Sequence, residues 1–205
     1  MSDRGALLAA LAHPERSIQW FAMECALDAG PEAQRRLREL ARDGDLETRC
    51  RAIQVLRSSL EPSTLALLSG ALHDPESLVR IAAAEGLAGQ GGTRALEPLL
   101  RVLVGKEFEK RGAEERRSFF VAAGRAAPRE VLPVLARLAE QRGFLGRGEQ
   151  AERADCALAA LVDLRNEATP YLRERWGTKR RDLWRRFDAL LAARGEINLR
   201  PRRAA

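Results

Sequence analysis

The residues that most often perform chemistry are few in this chain and poorly spaced for it. Two histidines, His13 and His73, stand sixty positions apart in similar turns. Neither has a second His, Cys or carboxylate at the spacing that places two donors on one metal ion, and nothing matches the His-Glu-x-x-His arrangement of a zinc hydrolase. Cys25, Cys50 and Cys156 form no Cys-x-x-Cys pair. That argues against a zinc site and against a disulfide framework, and leaves reduced, small hydrophobic side chains. No serine sits in a Gly-x-Ser-x-Gly elbow, and Gly105-Lys106 lacks the upstream glycine and the following Ser or Thr of a phosphate loop. Gly143-Phe-Leu-Gly-Arg-Gly148 follows a helical pattern instead of a strand, so it reads as an interhelical loop with Phe144 and Leu145 as a modest contact surface. No catalytic residue, metal ligand or cofactor site is predicted.

Charge supplies the other candidate chemistry. The chain carries a net charge of +6, but its last segment, from Leu172 to Ala205, holds eleven basic residues against four acids, a net of +7, leaving the preceding residues at −1. Thr178-Lys-Arg-Arg-Asp-Leu-Trp-Arg-Arg-Phe-Asp-Ala-Leu-Leu191 places Leu183, Trp184, Phe187, Leu190 and Leu191 on one helical face. That stripe suits a last helix closing the end of an array. The remaining faces, with Arg180, Arg181, Arg185 and Arg186, and the tail, with Arg200, Arg202 and Arg203, form a basic patch suited to phosphates or an acidic protein. Aromatic residues are only 5% of the chain, and no base-reading motif is present.

These side chains must be carried by helices. Apolar residues make up 45% of the 205 positions and are mostly Ala and Leu, strong helix formers, while strand-favouring types are sparse. Twelve helices are predicted at about 4–12, 15–29, 31–42, 45–58, 62–72, 75–88, 94–104, 107–126 (broken near Gly112), 128–142, 149–165, 168–176 and 179–194. Pro14, Pro31, Pro62, Pro75 and Pro128 mark starts, and Asp43, Asp74, Thr93 and Thr178 are predicted caps. Pro98, Pro133 and Pro170 fall inside predicted spans, which must therefore start later or kink. Leucines at 8, 37, 68, 100, 135 and 172 recur at intervals of 29 to 37 residues, the signature of stacked repeats. Val79, Ala82, Ala83, Gly86 and Leu87 show why the units must stack: their spacing makes one apolar face that a lone helix pair leaves open.

Asp74-Pro-Glu-Ser-Leu-Val-Arg80-Ile-Ala-Ala-Ala-Glu-Gly-Leu87, followed by Ala95-Leu-Glu-Pro-Leu-Leu100, resembles a HEAT repeat of the short bacterial kind, also called phycocyanobilin-lyase-like. The resemblance is strong over about 37–104, weaker over 1–36 and stretched over 105–176. It implies an all-α, right-handed α-solenoid of about five to six HEAT-like helix pairs. An Asp in the turn of one unit and an Arg early in its second helix would form a ladder between neighbours, which places Asp43 with Arg49 and Asp74 with Arg80 in those roles. Arg117 would hold the ladder position of the fourth unit, and Trp20 replaces the Arg in the first.

The resemblance implies no common activity. It does imply a partner-binding groove lined by the second helices, where Cys50, Gln54, Ile81 and Glu85 are expected to point outward. The resulting expectation is a non-enzymatic, cytoplasmic scaffold for an unidentified protein, with no membrane span. Residues 1–176 would form the array, 177–194 a capping helix and 195–205 a disordered basic tail. The alternative is a phosphate-backbone binder acting through the Arg-rich C-terminus; some HEAT-like solenoids are DNA glycosylases, but no matching catalytic set is present. A chromophore lyase subunit or chaperone is suggested by the repeat's name alone.

Overall fold

Alanine and leucine supply most of the buried surface, and short side chains let helices approach closely. The computed structural model describes residues 3–141 and 148–194, and every regular element among them is helical. In chain order these are α1 (Asp3–Leu11), α2 (Arg16–Ala26), α3 (Pro31–Asp43), α4 (Leu46–Leu56), α5 (Pro62–Ala71), α6 (Ser77–Gln90), α7 (Gly92–Val104), a short 3-10 helix (Lys106–Lys110), α8 (Ala113–Ala126), α9 (Leu132–Glu140), α10 (Glu149–Asp163), α11 (Arg165–Trp176) and α12 (Arg181–Ala193). They form an all-α solenoid of six successive pairs, α1/α2 through α11/α12.

The two layers of the array are packed differently. Second helices lie intimately on second helices, α4 on α6, α6 on α8 and α8 on α10, whereas first helices such as α3, α5 and α7 touch more lightly. The cause is composition. Buried Ala82, Ala83, Ala84, Gly86 and Ala88 make α6 nearly smooth, as Ala122, Ala123, Gly124 and Ala126 do for α8. A Cβ on Gly86 would sit 3.0 Å from Cδ2 of Leu68, so that glycine lets α5 seat its leucine against α6. From α4 to α10 the second helices are thus the more closely spaced layer.

Local signals explain the boundaries. Pro31 and Pro62 occupy first-turn positions, and Asp45 caps α4 by accepting the Thr48 amide at 2.8 Å. Asp43, the predicted cap, is instead the last residue of α3. Pro133 lies in the first turn of α9, which begins at Leu132 instead of 128. Pro98 and Pro170 are accommodated inside α7 and α11.

The span predicted at 107–126 is divided into the 3-10 helix and α8. Phe108 on the 3-10 helix is the reason: it is buried and stacks edge-on against Phe119 and Phe120, with ring centroids 5.9 and 5.8 Å away. At the far end Trp176, Trp184 and Phe187 form a second edge-to-face chain. Leu183, Phe187 and Leu191 of α12 are buried, while Trp184 and Leu190 are half-buried against the same core.

Two glycines separate propensity from packing. Gly70→Ala, in open space on α5, is expected to raise stability by about 0.5–1 kcal/mol. Gly44→Ala would place its Cβ 2.7 Å from the Leu40 carbonyl oxygen. It is expected to lower stability by about 1–3 kcal/mol. Urea unfolding midpoints at constant m check both.

Candidate functional site

Arginines near the starts of the second helices reach to the next repeat. Arg16 meets Asp45 at 3.1 Å and also Glu47, Arg49 meets Asp74 at 3.0 Å, and Arg80 meets Glu115 at 2.7 Å. Arg116 pairs with Glu152 in the following step. The interactions form a line along one edge of the array. The Arg16 pair is open to water, where such contacts are worth about 0–1 kcal/mol, whereas the Arg49 and Arg80 pairs are largely buried.

The Arg80 step is the most developed. The Glu115 carboxylate is only 3% exposed, and its oxygens accept Nε and Nη2 of Arg80 and Nη1 of Arg111, all at 2.7 Å. Arg80 also donates to the Asp74 carbonyl at 2.7 Å, Arg111 donates to the Leu72 carbonyl at 3.2 Å, and the Arg111 guanidinium lies 4.8 Å from the Phe119 ring centre. Burial alone would raise the Glu115 pKa, but the two guanidiniums outweigh it and hold the carboxyl below its ordinary range. Glu140 is likewise held low, chiefly by its hydrogen bonds from Arg175, with Trp176 Nε1 donating at 2.8 Å. A hollow of about 550 Å³ lies above the Arg80 step, but Asp74, Arg80, Lys110, Arg111 and Glu115 in its lining are all paired.

The face formed by the second helices is different. Two hollows lie between consecutive second helices: one of about 270 Å³ includes Gln54, Arg57 and Glu85, and one of about 140 Å³ includes Glu85, Arg117, Val121 and Arg125. Glu85 lines both. Arg51 in the first hollow is bound to Glu24 at 2.6 Å. Arg57, Arg117 and Arg125 are exposed, with no carboxylate at ion-pairing distance among the described residues.

The structure therefore brings together two of the four expected groove residues, Gln54 and Glu85. Cys50 is half-buried against the core and Ile81 lines the turn-edge hollow, one step of helical phase away. Burial pushes the Cys50 and Cys156 thiols above their ordinary pKa, which makes them poor nucleophiles. Of the expected ladder residues, Arg49 and Asp74 meet each other across repeats, and Arg80 meets Glu115. Asp43 is exposed at the end of α3, and the carboxylate paired in that turn is Asp45. Arg116, not Arg117, takes the fourth position because the 3-10 insertion resets the register.

The basic patch is partly consumed by packing. Arg186 pairs with Asp155 of α10 and Arg180 lies 3.6 Å from Asp182, while Arg181 and Arg185 are exposed. Arg200, Arg202 and Arg203, and the loop positions Phe144 and Leu145, lie outside the described residues. Glu115, Arg57 and Arg125 were not singled out from the sequence; pairing at 35 positions' separation leaves no local trace.

Among the described residues, no three His, Cys, Asp or Glu side chains gather closely enough to hold a metal ion. No described helix is long and apolar enough to cross a membrane. The family model for HEAT repeats matches residues 5–88 and 34–115, overlapping stretches that together cover more than half of the chain. No curated protein matches the chain.

Since Glu115 and Glu140 are held below the ordinary carboxyl value of 4.5, the unfolded chain binds their protons first. Their contribution is complete above that value and is lost as pH falls through the depressed folded values. Glu115→Ala at neutral pH is expected to cost about 3–5 kcal/mol by stranding two guanidiniums. Glu115→Gln is expected to flatten the acid limb of stability against pH, as measured by chemical unfolding.

Proposed function

The chain belongs to the HEAT-repeat family, and from that premise we propose that it is a non-enzymatic scaffold holding a protein partner along the inner face of its second helices. HEAT repeats are generally protein-interaction modules. The observation that supports the inner face here is the contrast in charge satisfaction. Along the turn edge, arginine and carboxylate side chains join neighbouring repeats. Along α4, α6 and α8, exposed Gln54, Arg57, Glu85, Arg117 and Arg125 border two adjoining hollows and are free to meet another surface. Rigid helices presenting such side chains bind without first ordering a loop, which removes part of the entropy cost of association.

A photo-crosslinking amino acid at Gln54 or Glu85 is expected to capture a discrete partner from native lysate. The same group at Glu97 or Arg101, on the outer helix α7, is expected to capture none. Equal capture from both layers, or capture from α7 alone, would refute the inner-face reading.

A further inference from the structure

We propose that the inner face formed by α4, α6 and α8 accepts an acidic segment of the partner, its carboxylates held by Arg57, Arg117 and Arg125. This rests on the inner-face reading and narrows it to one chemistry.

Charge complementarity carries the argument. Carboxylates on the flanking helices are already engaged: Glu24 of α2 by Arg51, and Asp155 and Asp163 of α10 by Arg186 and Arg194. Among the described residues three arginines around the two hollows have no ion-pair partner, against Glu85 as the one acid common to both and likewise unpaired. That local excess of cations sits in a part of the chain whose overall charge is close to zero, so it is a property of this face and not of bulk composition.

Spacing adds a second constraint. Arg117 and Arg125 lie eight positions apart on α8, with Val121, 38% exposed, midway between them. At the helical rise this separates the two positions by roughly 12 Å along the axis. A partner fits when it carries two carboxylates at about that separation and an apolar side chain between them, on about two turns of helix or about four residues of strand. Guanidinium groups suit this recognition because their planar donors meet a carboxylate in pairs. A nucleic-acid backbone fits less well. The exposed apolar Val121 would find nothing to pack against on a sugar-phosphate backbone, whereas a peptide can supply an apolar side chain there.

Fluorescence anisotropy on the full chain tests this, using a labelled helical peptide with two glutamates flanking a leucine, its glutamine counterpart, and a labelled DNA duplex. The acidic peptide is expected to bind, more weakly as salt rises, and the glutamine peptide and duplex are not. Arg117→Glu with Arg125→Glu is expected to weaken binding about tenfold or more, while Arg94→Glu with Arg137→Glu, the same charge change on first helices, leaves it unchanged. If the double reversal unfolds, Arg117→Gln with Arg125→Gln should give the same ranking. Failure of the acidic peptide to bind, equal losses in both double variants, or a duplex that binds more tightly and depends on Arg117 and Arg125 would overturn the proposal. Crosslinks from Gln54 and Glu85 without acidic-peptide binding would overturn this chemistry and leave the inner-face reading standing.

Discussion

Close approach of the second helices is the constraint on which the rest of this molecule depends. No single helix pair encloses its own apolar stripe, so each must lend a face to the next. Alanine and glycine along α6 and α8 let those faces meet without long side chains between them. The same choice of small residues gives the array an inner layer that is densely packed and an outer layer that is looser. Exposed side chains on the inner helices are consequently held on a firm backing.

Close packing also decides what charge does. Where two second helices begin side by side, an arginine of one repeat lies within reach of a carboxylate of the next, and the pair is partly shielded from water. Glu115 shows the extreme case: a nearly buried carboxylate is tolerable because two guanidiniums and their own carbonyl partners satisfy it on every side. Further along the same helices Glu85 is the carboxylate common to the two hollows, and among the described residues no carboxylate ion-pairs with Arg57, Arg117 or Arg125. One residue type thus serves cohesion at the edge and stays exposed on the second-helix face, according to what the neighbouring helix places opposite it.

The two ends of the array solve different problems. At the C-terminal end, α12 lays Leu183, Phe187 and Leu191 on the core and fastens Arg186 to Asp155 and Arg194 to Asp163. Part of the cationic charge that dominates this segment is therefore engaged in docking. At the N-terminal end, Trp20 is half-buried beneath the Arg51 guanidinium, which lies 5.8 Å from its ring centre, while the arginine link of that repeat is made by Arg16 to Asp45. In the middle, Phe108 explains the lengthening of the fourth unit: the 3-10 helix carries an aromatic plug that needs space of its own.

The helices and their repetition were legible in the chain because both are local. Leucine spacing, prolines at first-turn positions and glycines at stops act over a few residues, so eleven of the twelve spans lie within about four positions of the observed ends, and 107–126 alone is divided. Gln54 and Glu85 were legible for the same reason, since helical phase alone turns them outward. Cys50 and Ile81 were not, because a turn of a few tens of degrees separates an exposed position from a half-buried one, and only the neighbouring helix sets it. Asp45 in place of Asp43, Arg116 in place of Arg117, and Glu115 between Arg80 and Arg111 were decided by the tertiary structure. Ion pairs join atoms brought together by stacking, and a short insertion such as Lys106–Lys110 shifts the register of everything after it. Composition and periodicity determined that this is a stack of helix pairs; the packing of one pair on the next determined which charges are consumed in ion pairs and which stay exposed, because only stacking brings distant side chains within reach of one another.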